Sequence, residues 1–217
     1  MNQIHLTISN EARFRKAENI PLEETFPVWD PETDIADLTK DTSEEQVGCL
    51  LRSLTLMTLH EKKDFTTEST LEALIEAMFA GQAYIPGGLH FTGDDGAEIY
   101  PGCCCGIEDW QDIKSRLIQG QSPWMGHDPY PTLKVNEGVW LITTDSELDP
   151  LPEDYTYEEY YTNIPFTEEE FKKKLVWLDV EFYDFANGPL SAYLKKHQPE
   201  HAEKFCQAFR AHFGGLR

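Results

Sequence analysis

Three consecutive cysteines, Cys103-Cys104-Cys105, stand between Pro101-Gly102 and Gly106. Thiolates are nucleophiles and soft metal ligands, so this run concentrates more reactive chemistry than any other part of the chain. A second segment follows closely: Gln121-Ser122-Pro123-Trp124-Met125-Gly126-His127-Asp128-Pro129-Tyr130-Pro131. It offers an imidazole, a carboxylate and two amphipathic aromatic rings on a loop stiffened by three prolines. Such a loop has little ordering entropy left to lose on binding, although the same stiffness suits packing over a sheet end. Cys103, Cys104, Cys105, Trp124, His127, Asp128 and Tyr130 are therefore the candidate binding residues.

Several chemistries compete for the triplet. A nucleophilic cysteine needs a base, and His127 beside Asp128 is the nearest in sequence. Adjacent residues, however, seldom make an orienting Asp–His pair. A zinc site could draw on Cys103, Cys105, His127 and His90, but the spacing matches no closed C-x-x-C pair. A redox pair of vicinal cysteines would have to close a strained ring. The alternative is plain packing, with small side chains at a tight strand-to-helix corner. The sequence therefore assigns no catalytic residue, no metal ligand and no cofactor.

Local geometry can be anticipated around the triplet. Pro101-Gly102 suits the central positions of a type II turn. A helix beginning at Ile107 would aim free N–H groups at the cysteines and lower a thiol pKa. Glu108 and Asp109 in the same first turn act the opposite way. Each effect is of order 1 kcal/mol or less at an exposed terminus, so the sign of the shift stays open.

Taken together, Pro101-Gly102-Cys103-Cys104-Cys105-Gly106, Glu108-Asp109-Trp110 and Ser122-Pro123-Trp124-Met125-Gly126-His127-Asp128-Pro129 resemble a motif of bacterial cytosolic proteins that carry no assigned activity. Met125 stands where an aliphatic residue is expected. The resemblance implies a bacterial intracellular origin and a shared corner-plus-loop unit. It implies no catalytic residue.

The elements that must position these residues follow from periodicity. Residues 3–8 alternate as a strand. Pro21, Pro27 and Pro31 make residues 17–41 an extended acidic loop, stapled by Phe26, Val28 and Trp29. Ser43 with Gln46 forms a capping-box pattern ahead of a helix over 44–60, although Leu54–Leu59 also fits a strand. Leu71, Leu74, Ile75, Met78 and Phe79 mark one stripe of a helix over 67–80. Hairpins are expected around Gly93–Gly96 and Asn136–Gly138, with a helix over 107–118 between them. Phe171, Leu175, Leu178, Phe182 and Phe185 form a helical seam broken by Gly188-Pro189, and helical structure continues to about 213. Cys49 and Cys206 read as core residues; His197, His201 and His212 read as solvated.

The expected fold is one α+β domain over residues 1–217, with a C-terminal helical part over 167–213. Its antiparallel sheet has four to six strands, with helices packed on one side. With 217 residues, 40% apolar and 12% aromatic, the composition is that of a globular chain. Its 39 acids outnumber 18 Lys plus Arg, giving a net charge of −21. Such a surface repels phosphate backbones, so nucleic acid is not an expected partner. No secretory leader and no bilayer-spanning run are expected, and an odd cysteine count suits reduced thiols in a cytoplasm.

Residues 135–171 hold eleven acids and no Lys or Arg, interleaved with tyrosines, and are expected to lie mainly on a loop. Tyr155, Tyr157, Glu158 and Glu159 form a candidate face for a basic protein, by analogy with immunity or anti-toxin proteins. The sequence thus places a binding or interaction module ahead of a thiol- or metal-dependent enzyme using Cys103–Cys105 with His127. A small-molecule pocket between the corner and the 121–131 loop is the third alternative.

Overall fold

The computed structural model describes residues 1–9, 19–30, 35–59, 64–127, 130–144, 156 and 161–214. Helices and antiparallel strands are both present, as an α+β chain requires. The chain separates into two compact units, Met1–Thr7 with Gly87–Asp179, and Ile8–Pro86 with Val180–Arg217.

The first unit contains most of β1 (Gln3–Ser9), then β3 (Gly87–Thr92) and β4 (Glu98–Ile99). A 3-10 turn over Ile107–Asp109 leads into α4 (Trp110–Ile118). It is followed by β5 (Thr132–Asn136), β6 (Val139–Thr143), β7 (Asn163–Thr167) and the first part of α5 (Glu168–Asn187). The strands of this unit form two sheets, with orders β1-β3-β4 and β5-β6-β7; the short strand β2 (Ile35–Asp37) belongs to the second unit. A single sheet of four to six strands is thus replaced by two small ones. The stretch between β4 and β5 forms the cysteine corner, α4 and the proline loop. Strand β5 then begins a separate meander with its own hairpin turn.

Strand β7 is an element that the reading of residues 135–171 as mainly loop did not include, while residues 145–155 and 157–160 of that segment lie outside the described residues. Buried Ile164 and Phe166 alternate with exposed Pro165, and β7 lies at the end of the β5-β6-β7 order, where a missing N–H is tolerated. Its register sets Phe166 opposite Trp140 and Ile164 opposite Ile142. Phe171 of α5 closes over this face, with ring centroids 5.1 Å from Phe166, 5.3 Å from Trp140 and 6.5 Å from Phe91. Lys114 of α4 is buried, yet its Nζ lies 2.6 Å from Asp179 and 4.8 Å from the centre of the Trp110 ring.

The second unit is mainly helical: α1 (Leu22–Thr25), α2 (Glu44–Thr58), α3 (Thr67–Phe79), the remainder of α5, α6 (Pro189–His197) and α7 (Ala202–Phe213). Both Ser43 with Gln46 and Thr66 with Ser69 close full capping boxes. The helical alternative therefore wins over a strand at 54–59, where the last turns of α2 continue a buried Leu50, Leu51, Leu54 row. Phe182 stacks on Phe209 at 5.7 Å within the helical core. Phe26 is fully buried, and Arg52 of α2 secures its segment. The Arg52 guanidinium donates to the Phe26 carbonyl at 2.9 and 3.1 Å and to both Glu23 carboxylate oxygens at 2.9 and 3.1 Å. It also lies 4.0 Å above the Trp29 ring.

Cys49 and Cys206 are buried here. His212, expected in solvent, is buried instead, with Nε2 2.8 Å from the Ala83 carbonyl oxygen. Its position between Phe209 and Phe213 on α7 carries it onto the apolar face of that helix. Among the described residues, no helix is long and apolar enough to cross a membrane.

Candidate functional site

The cysteine corner and the proline loop meet within the first unit as an isolated antiparallel bridge between Cys103 and His127. The Cys103 N–H donates to the His127 carbonyl at 2.5 Å, and the His127 N–H to the Cys103 carbonyl at 3.1 Å. One step away, the Gly102 N–H donates to the Met125 carbonyl at 3.0 Å. Gly126 makes this approach possible. A Cβ there would stand 2.5 Å from the carbonyl carbon and oxygen of Gly102, and its φ of +98° is one that L side chains rarely adopt. The loop is tied to β5 through the Leu133 N–H, which donates to Ser122 Oγ at 2.9 Å.

Burial alternates along the loop. Pro123 and Met125 point inward, while Trp124 and His127 are exposed. The His127 ring meets Trp124 edge-on at 5.5 Å and Tyr130 at 5.8 Å. These two aromatic neighbours flank the imidazole beside the corner.

Cys104 has a φ of +66°. This left-handed residue breaks the strand alternation that would otherwise pair Cys103 with Cys105, and the adjacent Cys103 and Cys104 sulfurs come to 3.9 Å. One ligand atom from each of Cys103, Cys104 and His127 lies within 4.8 Å of the others. Two sulfurs bound at about 2.3 Å to one ion stand about 3.8–4.0 Å apart in tetrahedral or trigonal geometry. The thiol pair thus already has the spacing of two ligands of one ion.

Cys105 is turned away and buried, with its carbonyl accepting from the Gly87 N–H at 3.0 Å. Burial pushes its thiol up to about 12, assisted by the nearby charges of Asp109 and Glu108 and opposed by a Gly106 backbone hydrogen bond. This answers the sign left open by the sequence for that thiol. Of the triplet, Cys104 is exposed and Cys103 half-buried, so these two thiols are accessible where Cys105 is not.

The structure therefore brings together Cys103, Cys104, His127, Trp124 and Tyr130 of the sequence candidates. His90 instead lies buried in β3, stacked on Tyr100 at 4.4 Å. Asp128, Tyr155, Tyr157, Glu158 and Glu159 lie outside the described residues. The pairing of Cys104 with Cys103 was hidden from spacing arguments because a positive φ at a non-glycine residue has no sequence signature.

The second unit has a cavity of about 230 Å³ lined by Thr42, Glu44, Val47, Pro189, Ala192, Tyr193 and Lys196. Its charges are mutually engaged, since Glu44 lies 2.6 Å from His197 and 2.8 Å from Lys196. Hydrogen bonds from His197 and Lys196 hold the Glu44 carboxyl below the usual carboxylate range. Comparison with known proteins finds no matching family, curated protein or solved structure.

Proposed function

We propose that this chain is a thiol-dependent metal-binding protein in which Cys103, Cys104 and His127 hold a thiophilic ion of the Zn²⁺ or Cu⁺ class. The observation that carries the reading is the 3.9 Å separation of the two sulfurs with an imidazole nitrogen inside the same 4.8 Å group. Thiolate and imidazole donors select such ions over hard cations. Three donors among the described residues match the number found in zinc sites that keep a position for water or substrate. The Cys103–His127 bridge holds two of the donors in register before an ion arrives, and Trp124 and Tyr130 flank the imidazole. This reading suits a reducing cytoplasm, where the five free thiols would persist.

Competition against a chromophoric chelator tests the proposal, with zinc and copper(I) in separate arms. One ion should bind per chain, and Cys103→Ser, Cys104→Ser and His127→Ala should each weaken binding at least tenfold, while Cys49→Ser should not. Equal affinity in all four variants would remove the site. Separately, the charge of −21 supports a basic protein over a nucleic acid as any macromolecular partner.

A further inference from the structure

We infer that Cys103 and Cys104 also form a redox modification site, closing to a reversible vicinal disulfide with a hydroperoxide and thereby expelling the bound ion. The release step rests on the metal reading above; ring closure is read separately. The two sulfurs, 3.9 Å apart, need to approach by roughly 1.9 Å to reach the disulfide length of about 2.05 Å. Side-chain rotation brings the sulfurs together, and completing the closure strains the ring that includes the Cys103–Cys104 peptide. Extended neighbours project to opposite faces, which would forbid ring closure. The left-handed φ of Cys104 removes this obstacle. Cys104 is exposed and open to an oxidant, whereas Cys105, Cys49 and Cys206 are buried.

The strain that argues against a vicinal disulfide as a permanent staple is what suits it to reversal. Adjacent Cα atoms are about 3.8 Å apart, below the roughly 4.4–6.8 Å that ordinary disulfides span. A bond closed under that constraint is readily reduced. Meanwhile the Cys103–His127 bridge holds the backbone on the Cys103 side of the ring.

The chemistry balances with a hydroperoxide as the co-reactant. The Cys104 thiolate attacks the O–O bond, forming a sulfenic acid and releasing the alcohol, or water when the oxidant is hydrogen peroxide. The Cys103 thiolate then attacks the sulfenic sulfur, forming the S–S bond and releasing water. Two electrons pass from the sulfurs to the peroxide. With an ion bound, two protons are taken up and the ion leaves, since disulfide sulfurs have lost the thiolate charge that held it.

The test treats the reduced full chain, metal-free and zinc-loaded, with one equivalent of hydrogen peroxide. Intact mass should fall by two hydrogens, two of the five thiols should disappear, and peptide mapping should place the bond within the Cys103-Cys104 peptide. A dithiol should restore both thiols. The loaded sample should release one zinc per ring, and Cys104→Ser, altered at an exposed position, should form no ring. Oxygen addition without a mass loss, or a bond to another cysteine, overturns the inference. Zinc retained after ring closure overturns its release step but leaves the metal reading intact, whereas a reduced chain that takes up neither zinc nor copper(I) overturns that reading.

Discussion

Cys103 and His127 are 24 positions apart in sequence, yet they face each other across two backbone hydrogen bonds of 2.5 and 3.1 Å. This bridge joins a thiol-bearing turn to an imidazole-bearing loop without using the side chain of either residue. The two backbone hydrogen bonds fix the positions from which both side chains project.

The bridge depends on Gly126, whose missing side chain lets the loop pass Gly102. Gly126→Ala should cost about 2–4 kcal/mol, combining strain at φ +98° with a backbone clash. Gly138→Ala also sits at positive φ (+86°), but with nothing within 4 Å of the added carbon. It should cost only about 1–2 kcal/mol. Urea denaturation of the two variants measures the difference. Equal losses would mean that the contact with Gly102 contributes nothing. Gly126→Ala should also weaken metal uptake, and Gly138→Ala should not.

Thiol reactivity should follow the geometry of the corner. N-ethylmaleimide at neutral pH should modify Cys104 first and Cys103 next. Cys105, with its thiol pushed up to about 12 by burial and by Asp109 and Glu108, should react only on unfolding, as should buried Cys49 and Cys206. Timed labelling with peptide mass spectrometry gives the order directly. Early modification of Cys105 would contradict the placement of its side chain.

The Glu44 contacts make a signed prediction for pH. Its carboxyl is held below 4.5 in the folded state by His197 and Lys196. A depressed folded pKa stabilises above the unfolded value, and that stabilisation is lost as pH falls through the folded pKa. Wild type should accordingly exceed Glu44→Gln in stability at pH 6, with the gap narrowing steadily below about 4.5. Thermal denaturation across that range tests it; a gap that widens in acid would reverse the sign.

Arg52 should matter more than the partner it most visibly pairs with. Arg52→Met leaves the Phe26 carbonyl without its two guanidinium donors, and losing buried hydrogen bonds of this kind costs about 1–3 kcal/mol. Glu23 is largely exposed, so Glu23→Gln should cost less than about 1 kcal/mol. The ranking is read from denaturant midpoints at one pH.

Much of the fold could be read from residue types. Ser43 with Gln46, the Leu71–Met78 part of the expected stripe and the Gly188-Pro189 break each announce a local structure that forms for local reasons, whereas Phe79, expected on that stripe, is exposed at the end of α3. Strand β7 escaped because its charged surroundings mask an alternation of only two apolar residues around a proline. His212 escaped because its neighbours on α7, not its own polarity, decide where it points. At the site, the corner and the loop were identifiable as a thiol-rich turn and a stiff recognition segment. Which two thiols act together was not, since the left-handed turn at Cys104 is a tertiary outcome.

The central claim is that two adjacent thiolates and one imidazole share an ion. X-ray absorption at the metal edge of the zinc-loaded chain addresses it most directly. The metal shell should hold two sulfurs at about 2.3 Å and nitrogen at about 2.0 Å, with one sulfur lost in Cys104→Ser and both kept in Cys105→Ser. A shell made only of oxygen and nitrogen, or one that loses sulfur in Cys105→Ser and not in Cys104→Ser, would contradict it.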